Sequence, residues 1–111
     1  MTWLAVAVAL TATHWFHSPS GNIQCEVTST YAYCQTFQPL QTAEVKRNGH
    51  VTVCSHACPV GNGPENATTL AYGKSIRVGP FRCTSATSGM RCLVVATGHG
   101  FAIARAGVKT F

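Results

Sequence analysis

The chain has 111 residues, of which 46% are hydrophobic and only 10% charged, where a typical soluble domain has about 25% charged residues. That balance fits one packed domain and excludes a disordered tail. Lys and Arg number eight against three acids, all Glu, for a formal net charge of +5. With neither an Asp nor a P-loop in the chain, two-Asp proteases, EF-hand calcium loops and Walker-type nucleotide sites are excluded.

The first element is Met1-Thr2-Trp3-Leu4-Ala5-Val6-Ala7-Val8-Ala9-Leu10-Thr11-Ala12-Thr13, an uncharged run shorter than the about 20 apolar residues of a membrane span. The missing basic residue before Trp3 leaves open a basic stretch upstream, or an apolar strand or buried anchor, but an apolar stretch closed by small residues reads first as an export signal. Residues 1–13 are therefore expected to be the signal and 14–111 a single disulfide-bonded domain. His14 and His17, beside Trp15 and Phe16, read as a flexible stretch or the signal junction.

Six cysteines follow: Cys25, Cys34, Cys54, Cys58, Cys83 and Cys92. Disulfides persist outside the cytosol, so their even number supports export. Two pairs share one spacing, and each brackets a turn. Ile23, Cys25 and Val27 alternate with polar residues before Thr28-Ser29-Thr30 turns the chain into Tyr31 to Cys34. Phe81 and Cys83 alternate likewise before Ser85 to Gly89 turns it into Met90-Arg91-Cys92. Both read as β-hairpins. Directly opposed residues of neighbouring strands lie close enough for a disulfide, which pairs Cys25 with Cys34 and Cys83 with Cys92, each worth somewhat under ~3 kcal/mol. Cys54 and Cys58 are left to bridge each other, stay as thiols or bind a metal.

Further short apolar segments are Val51 to Cys54, Thr69 to Tyr72, Ser75 to Val78, Leu93 to Ala96 and Phe101 to Arg105. Pro39 to Arg47 offers at most a helical turn or two, its apolar positions being sparse, and Pro59 to Thr68 is a loop. Tyr72-Gly73-Lys74 reads as a hairpin corner. The expectation is an all-β, disulfide-stapled antiparallel sandwich or open barrel of about seven or eight short strands.

Four groups of residues also carry a resemblance: Phe16-His17-Ser18-Pro19-Ser20-Gly21-Asn22-Ile23-Gln24-Cys25; Leu70-Ala71-Tyr72-Gly73; Gly79-Pro80-Phe81-Arg82-Cys83-Thr84-Ser85 with Gly89 and Cys92; and Gly98-His99-Gly100-Phe101-Ala102-Ile103-Ala104-Arg105. In this order they resemble a family of small exported actinobacterial proteins, a domain of unknown function with the pattern SPSGNIxC, YG, FxCxS, GxxC and GHGF. The resemblance spans Phe16 to Phe111 and departs at Cys54-Ser55-His56-Ala57-Cys58-Pro59, where the family pattern has Cys followed by Gly-Asp. It implies an exported, disulfide-bonded β domain and no particular activity.

Three groups of residues are functional candidates. His99 sits between two glycines, and an imidazole there could serve as a base or ligand near neutral pH. A hydrolase built on it would need a nucleophile such as Ser18, Ser20 or Thr97 and an orienting Glu26, Glu44 or Glu65, and no motif ties these together. Cys54, His56 and Cys58, with His50 upstream, have loosely zinc-like spacing, although a third disulfide suits an exported protein better. Arg82 and Arg91 are expected on one face of the second hairpin, where they would attract an anionic envelope component or an acidic protein. Nucleic acid is not an expected partner, since no aromatic residues are interleaved with the basic ones. The expected function is a secreted or cell-envelope binding module contacting its ligand through Arg82, Arg91 and His99, acting as a monomer without cofactor or mature membrane span. A small extracytoplasmic hydrolase using His99 and a zinc module at Cys54, His56 and Cys58 are the alternatives.

Overall fold

The computed structural model describes residues 13–111, so the export signal expected over 1–13 lies, apart from Thr13, outside the described residues. Eleven strands follow one another: β1 (His14–His17), β2 (Ile23–Val27), β3 (Tyr31–Thr36), β4 (Gln41–Lys46), β5 (Val51–Cys54), β6 (Thr68–Thr69), β7 (Ser75–Val78), β8 (Phe81–Ala86), β9 (Gly89–Val94), β10 (Gly100–Ala104) and β11 (Gly107–Thr110). Among the described residues there is no helix, and hence none long and apolar enough to cross a membrane.

Alternation explains why these segments are strands. In β2 Ile23, Cys25 and Val27 are buried while Gln24 and Glu26 face outward, and in β8 Phe81, Cys83 and Ser85 are buried while Arg82 and Ala86 are exposed. A strand with one apolar face must lay it on another layer. Two sheets do so: one ordered β5-β4-β3-β2-β1-β6, the other β11-β10-β9-β8-β7. All neighbours are antiparallel except β6, which pairs parallel with β1. The sheets do not close on each other, so the all-β fold is a sandwich and not a barrel.

Three segments differ from their sequence reading. Pro39 to Arg47 holds a strand, β4, with no helical turn: Gln41, Ala43 and Val45 point inward and Thr42, Glu44 and Lys46 do not. An inward glutamine hides that period of two. His14 to His17 is an ordered strand between β2 and β6, its Phe16 1% exposed in the core. Tyr72-Gly73-Lys74 is no hairpin corner, since it carries the chain from β6 in one sheet to β7 in the other. β1, β4 and the edge strand β11, none of them expected as strands, bring the strands of the described residues to eleven where about seven or eight were expected.

The core between the sheets contains Phe16, Val27, Val45, Phe81, Met90, Phe101 and Ile103, each at most 1% exposed. At its centre lie two disulfides, Cys25–Cys34 joining β2 to β3 and Cys83–Cys92 joining β8 to β9. Each links directly opposed residues with Cα atoms 4.1 Å apart, the closer of the two antiparallel pair geometries. Cys34 Sγ lies 3.6 Å from Cys92 Sγ, so the two bridges touch across the sandwich. Gln41 adds a polar tie between the sheets, its Nε2 donating to Thr36 Oγ1 (3.0 Å) and to the Ala104 carbonyl (2.8 Å).

Between β5 and β6 the chain crosses the outer face of the six-stranded sheet as a strap. A third disulfide, Cys54–Cys58, anchors its start. Two outward glutamines hold it down. Gln35 Nε2 donates to the Gly61 carbonyl, Gln35 Oε1 accepts from the Gly61 N–H (3.3 Å) and the Tyr33 hydroxyl (2.8 Å), and Gln24 Oε1 accepts from the Gly63 N–H (3.0 Å). The strap explains why Gln35, on the outer face of its strand, is buried. Replacing Gln35 by Ala leaves both Gly61 backbone groups without these partners, an expected loss of about 1–3 kcal/mol. Amide exchange should then accelerate at Gly61 and Gly63 and stay unchanged in β8 and β9.

Candidate functional site

The outer face of the five-stranded sheet gathers the basic residues. The tight turn at Gly79-Pro80 sets Arg77 directly opposite Arg82. Because Cys83 pairs with Cys92, Arg82 lies opposite Leu93 and Arg91 opposite Thr84, which makes the two arginines diagonal neighbours on one face. Arg91 pairs in turn with Ala102, and Ala102 with Lys109. All four cations are exposed. Like charges directly opposite each other in a sheet are unfavourable, and no acid offsets them: the chain has none after Glu65. Among the described residues the ion pair is Lys46 with Glu44, at 3.9 Å on the other sheet.

Two features shape this face further. The guanidinium of Arg91 lies 4.0 Å from the centre of the Phe111 ring, a cation–π contact that ties the arginine to the C-terminal residue. Beside Lys109, the small side chains of Ala102, Ala104 and Ala106 with Gly107 leave a groove of about 410 Å³. The spacing of the cysteines made Arg82 and Arg91 visible in the sequence. Arg77 and Lys109 were missed, although the two-residue Gly79-Pro80 turn already fixes Arg77 opposite Arg82.

His99 is the last residue of that sheet's β9–β10 connection, exposed, with its ring resting on Gly49 of the β4–β5 connection. Its backbone N–H donates to Thr97 Oγ1 (3.3 Å), and among the described residues its imidazole has no hydrogen-bond partner. No serine, threonine or glutamate side chain is hydrogen-bonded to it, so the structure does not assemble a nucleophile, base and carboxylate there. The glycines around it answer to backbone geometry: Gly98 has φ +80°, and a Cβ on Gly100 would collide with the Cys92 carbonyl and sit 2.6 Å from Leu93 Cα.

Ser18, Ser20 and Asn22 are also engaged locally. Ser18 Oγ accepts from the Ile23 N–H (3.2 Å), Ser20 Oγ from the Asn22 N–H (3.2 Å), and Asn22 grips both backbone groups of Gln38 at 2.9 and 3.0 Å. They border an open end cleft of about 360 Å³ shared with Tyr72, Ser88 and Arg105. His50 and His56 are exposed, and Cys54 and Cys58 are joined to each other. A disulfide offers no thiolate to zinc, so in this form the Cys54, His56 and Cys58 group lacks the sulfur ligands the zinc reading needs. The close sulfurs of Cys25, Cys34 and Cys92 are likewise those of the two core disulfides.

A family model matches residues 49–111. The matched segment takes in β5, the strap and the entire five-stranded sheet with its basic face, while the Ser18 to Cys25 motif lies before it. No curated protein matches the chain. No solved structure matches it either. With more than half of its length covered by that model, the chain belongs to DUF6636, a family of unknown function.

Proposed function

We propose that this protein is an extracytoplasmic binding module, secreted or held in the cell envelope as in the small exported actinobacterial proteins it resembles, and that the basic face of its five-stranded sheet binds an anionic polymer. One observation carries the reading: Arg77, Arg82, Arg91 and Lys109 share one exposed sheet face with no acid in the sheet. A fold gains nothing in stability from opposing Arg77 to Arg82 without a counter-charge, whereas a row of anionic groups would be attracted by all four side chains. Guanidinium groups also form paired hydrogen bonds to phosphate, sulfate and carboxylate. Three disulfides in a domain this small are typical of extracytoplasmic proteins, and one of them, Cys83–Cys92, cross-links the two strands that carry Arg82 and Arg91.

The test uses dextran sulfate and polyphosphate as probes, with neutral dextran as control. Wild-type protein should be retained on both polyanions at low salt and released as salt rises and the screening length falls from about 10 Å at 0.1 M to about 3 Å at 1 M. Arg82→Glu with Arg91→Glu should lose retention while keeping the native amide spectrum. Retention that is insensitive to salt, or unchanged in the double variant, would contradict the proposal.

A further inference from the structure

The other sheet carries a site of opposite character. Its outward residues run Trp15, Glu26, Tyr33 and Glu44 across four adjacent strands, each directly opposite the next. The strap closes one side. Trp15, Glu26, Tyr33, Gln35 and the backbone of Gly61 to Gly63 thus enclose an open cleft of about 280 Å³. Glu44 is paired with Lys46, but Glu26 has no ion-pair partner among the described residues, in a chain with eight cations. The Gln35 amide and the Gln24 Oε1 are occupied in holding the strap. What the cleft presents is a carboxylate between an indole and a phenol ring. The Tyr33 hydroxyl is raised above 10.0 by burial first and then by the charges of Glu26 and Glu44, and Tyr31 is raised by burial and by Glu26 beside it. Both tyrosines therefore stay neutral, leaving Glu26 and Glu44 as the charges of that row.

We infer that this cleft binds an organic cation, an alkylammonium head group seated between the Trp15 and Tyr33 rings with its charge on Glu26. Aromatic faces attract such cations and the carboxylate adds a full counter-charge. The uncompensated charge of Glu26 favours such a cation over a neutral sugar, which would bring no counter-charge to it. The basic residues of the other sheet do not oppose the site, because the two outer faces are separated by the sheet-to-sheet distance of about 10 Å plus a layer of side chains on each side, more than the screening length of about 8 Å at physiological salt. The strap is fitted to the cleft at Gly63, where a Cβ would run into Gln24 and come within 3.1 Å of Trp15 Cε3.

The inference does not rest on the polyanion reading, and its probes are different. Choline, its neutral isostere 3,3-dimethyl-1-butanol and methyl glucoside are titrated to about 50 mM, a range suited to millimolar affinity, against the amide and indole signals of the protein. Choline should shift Trp15, Glu26, Tyr33 and Gly61 to Gly63, with the two neutral probes at least about tenfold weaker. Glu26→Gln and Tyr33→Leu should each weaken choline by about tenfold, while Tyr33→Phe, which keeps the ring, should retain it. Equal binding of choline and its isostere, preferential binding of the glucoside, choline binding that survives Glu26→Gln, or no shift with any probe would overturn the inference.

Discussion

Replacing Gly100 by Ala is expected to destabilise the domain by about 3 kcal/mol or more, whereas replacing the adjacent His99 by Ala should cost less than about 0.5 kcal/mol. The reason is where each residue points. A Cβ on Gly100 would collide with the Cys92 carbonyl and lie 2.6 Å from Leu93 Cα, and both obstacles are backbone of the neighbouring strand β9. Backbone of a central strand cannot step aside as a flexible side chain can, so either β10 leaves its partner or the ladder breaks. Gly100 is also bonded through both backbone groups to Phe111, at 3.0 and 3.1 Å, so the same displacement loosens the last strand. His99 is exposed, its ring resting on Gly49, and its hydrogen bonds are made through the backbone, which the Ala variant keeps. Urea denaturation of the two variants, with disulfides intact, measures the contrast. Equal stability would mean that the Gly98-His99-Gly100 segment is not held by the backbone crossing described.

Removing the Cys25–Cys34 bridge by Ala substitution at both positions should cost about 2–5 kcal/mol, a large share of the 5–15 kcal/mol typical of whole domains. Two effects add. The bridge closes a nine-residue separation and so restricts the unfolded chain, and it fills the core against Cys83–Cys92, with Cys34 and Cys92 sulfurs 3.6 Å apart. Because the bridges touch, removing both should cost an amount that departs from the sum of the single losses by about 0.5–3 kcal/mol. The Cys54–Cys58 bridge closes a separation of four and lies at the start of the strap. Its loss should act locally, raising exchange at Gly61 and Gly63 and leaving the core amides protected. Denaturation midpoints of the three double-Ala variants check this order. If removing Cys25–Cys34 proved milder than removing Cys54–Cys58, the stacked bridges would not be the centre of stability.

How far the fold could be read in the sequence depended on whether a strand shows its alternation in apolar residues. Ile23, Cys25 and Val27, or Phe81 and Cys83, display it, so both hairpins were legible. Gln41 conceals it in β4, since its inward position is sustained by hydrogen bonds to Thr36 and Ala104 that exist only once the second sheet is present. β1 was hidden differently, by histidines that flank a single buried Phe16. The loop composition of residues 59–68 was plain, but not its route, because the route is set by Gln24 and Gln35 meeting side by side across β2 and β3. The same holds for the sites. Arg82 and Arg91 were legible from one hairpin, whereas the cleft of Trp15, Glu26 and Tyr33 requires the register of three strands.

Contact between the basic face of the five-stranded sheet and an anionic polymer can be read residue by residue. The most direct measurement is amide chemical-shift mapping of wild-type protein titrated with short polyphosphate at low salt. Binding as described would shift Arg77, Arg82, Thr84, Arg91, Leu93 and Lys109, and the shifts would fade on raising salt to about 1 M. Shifts confined to the six-stranded sheet, or none at low salt, would contradict it.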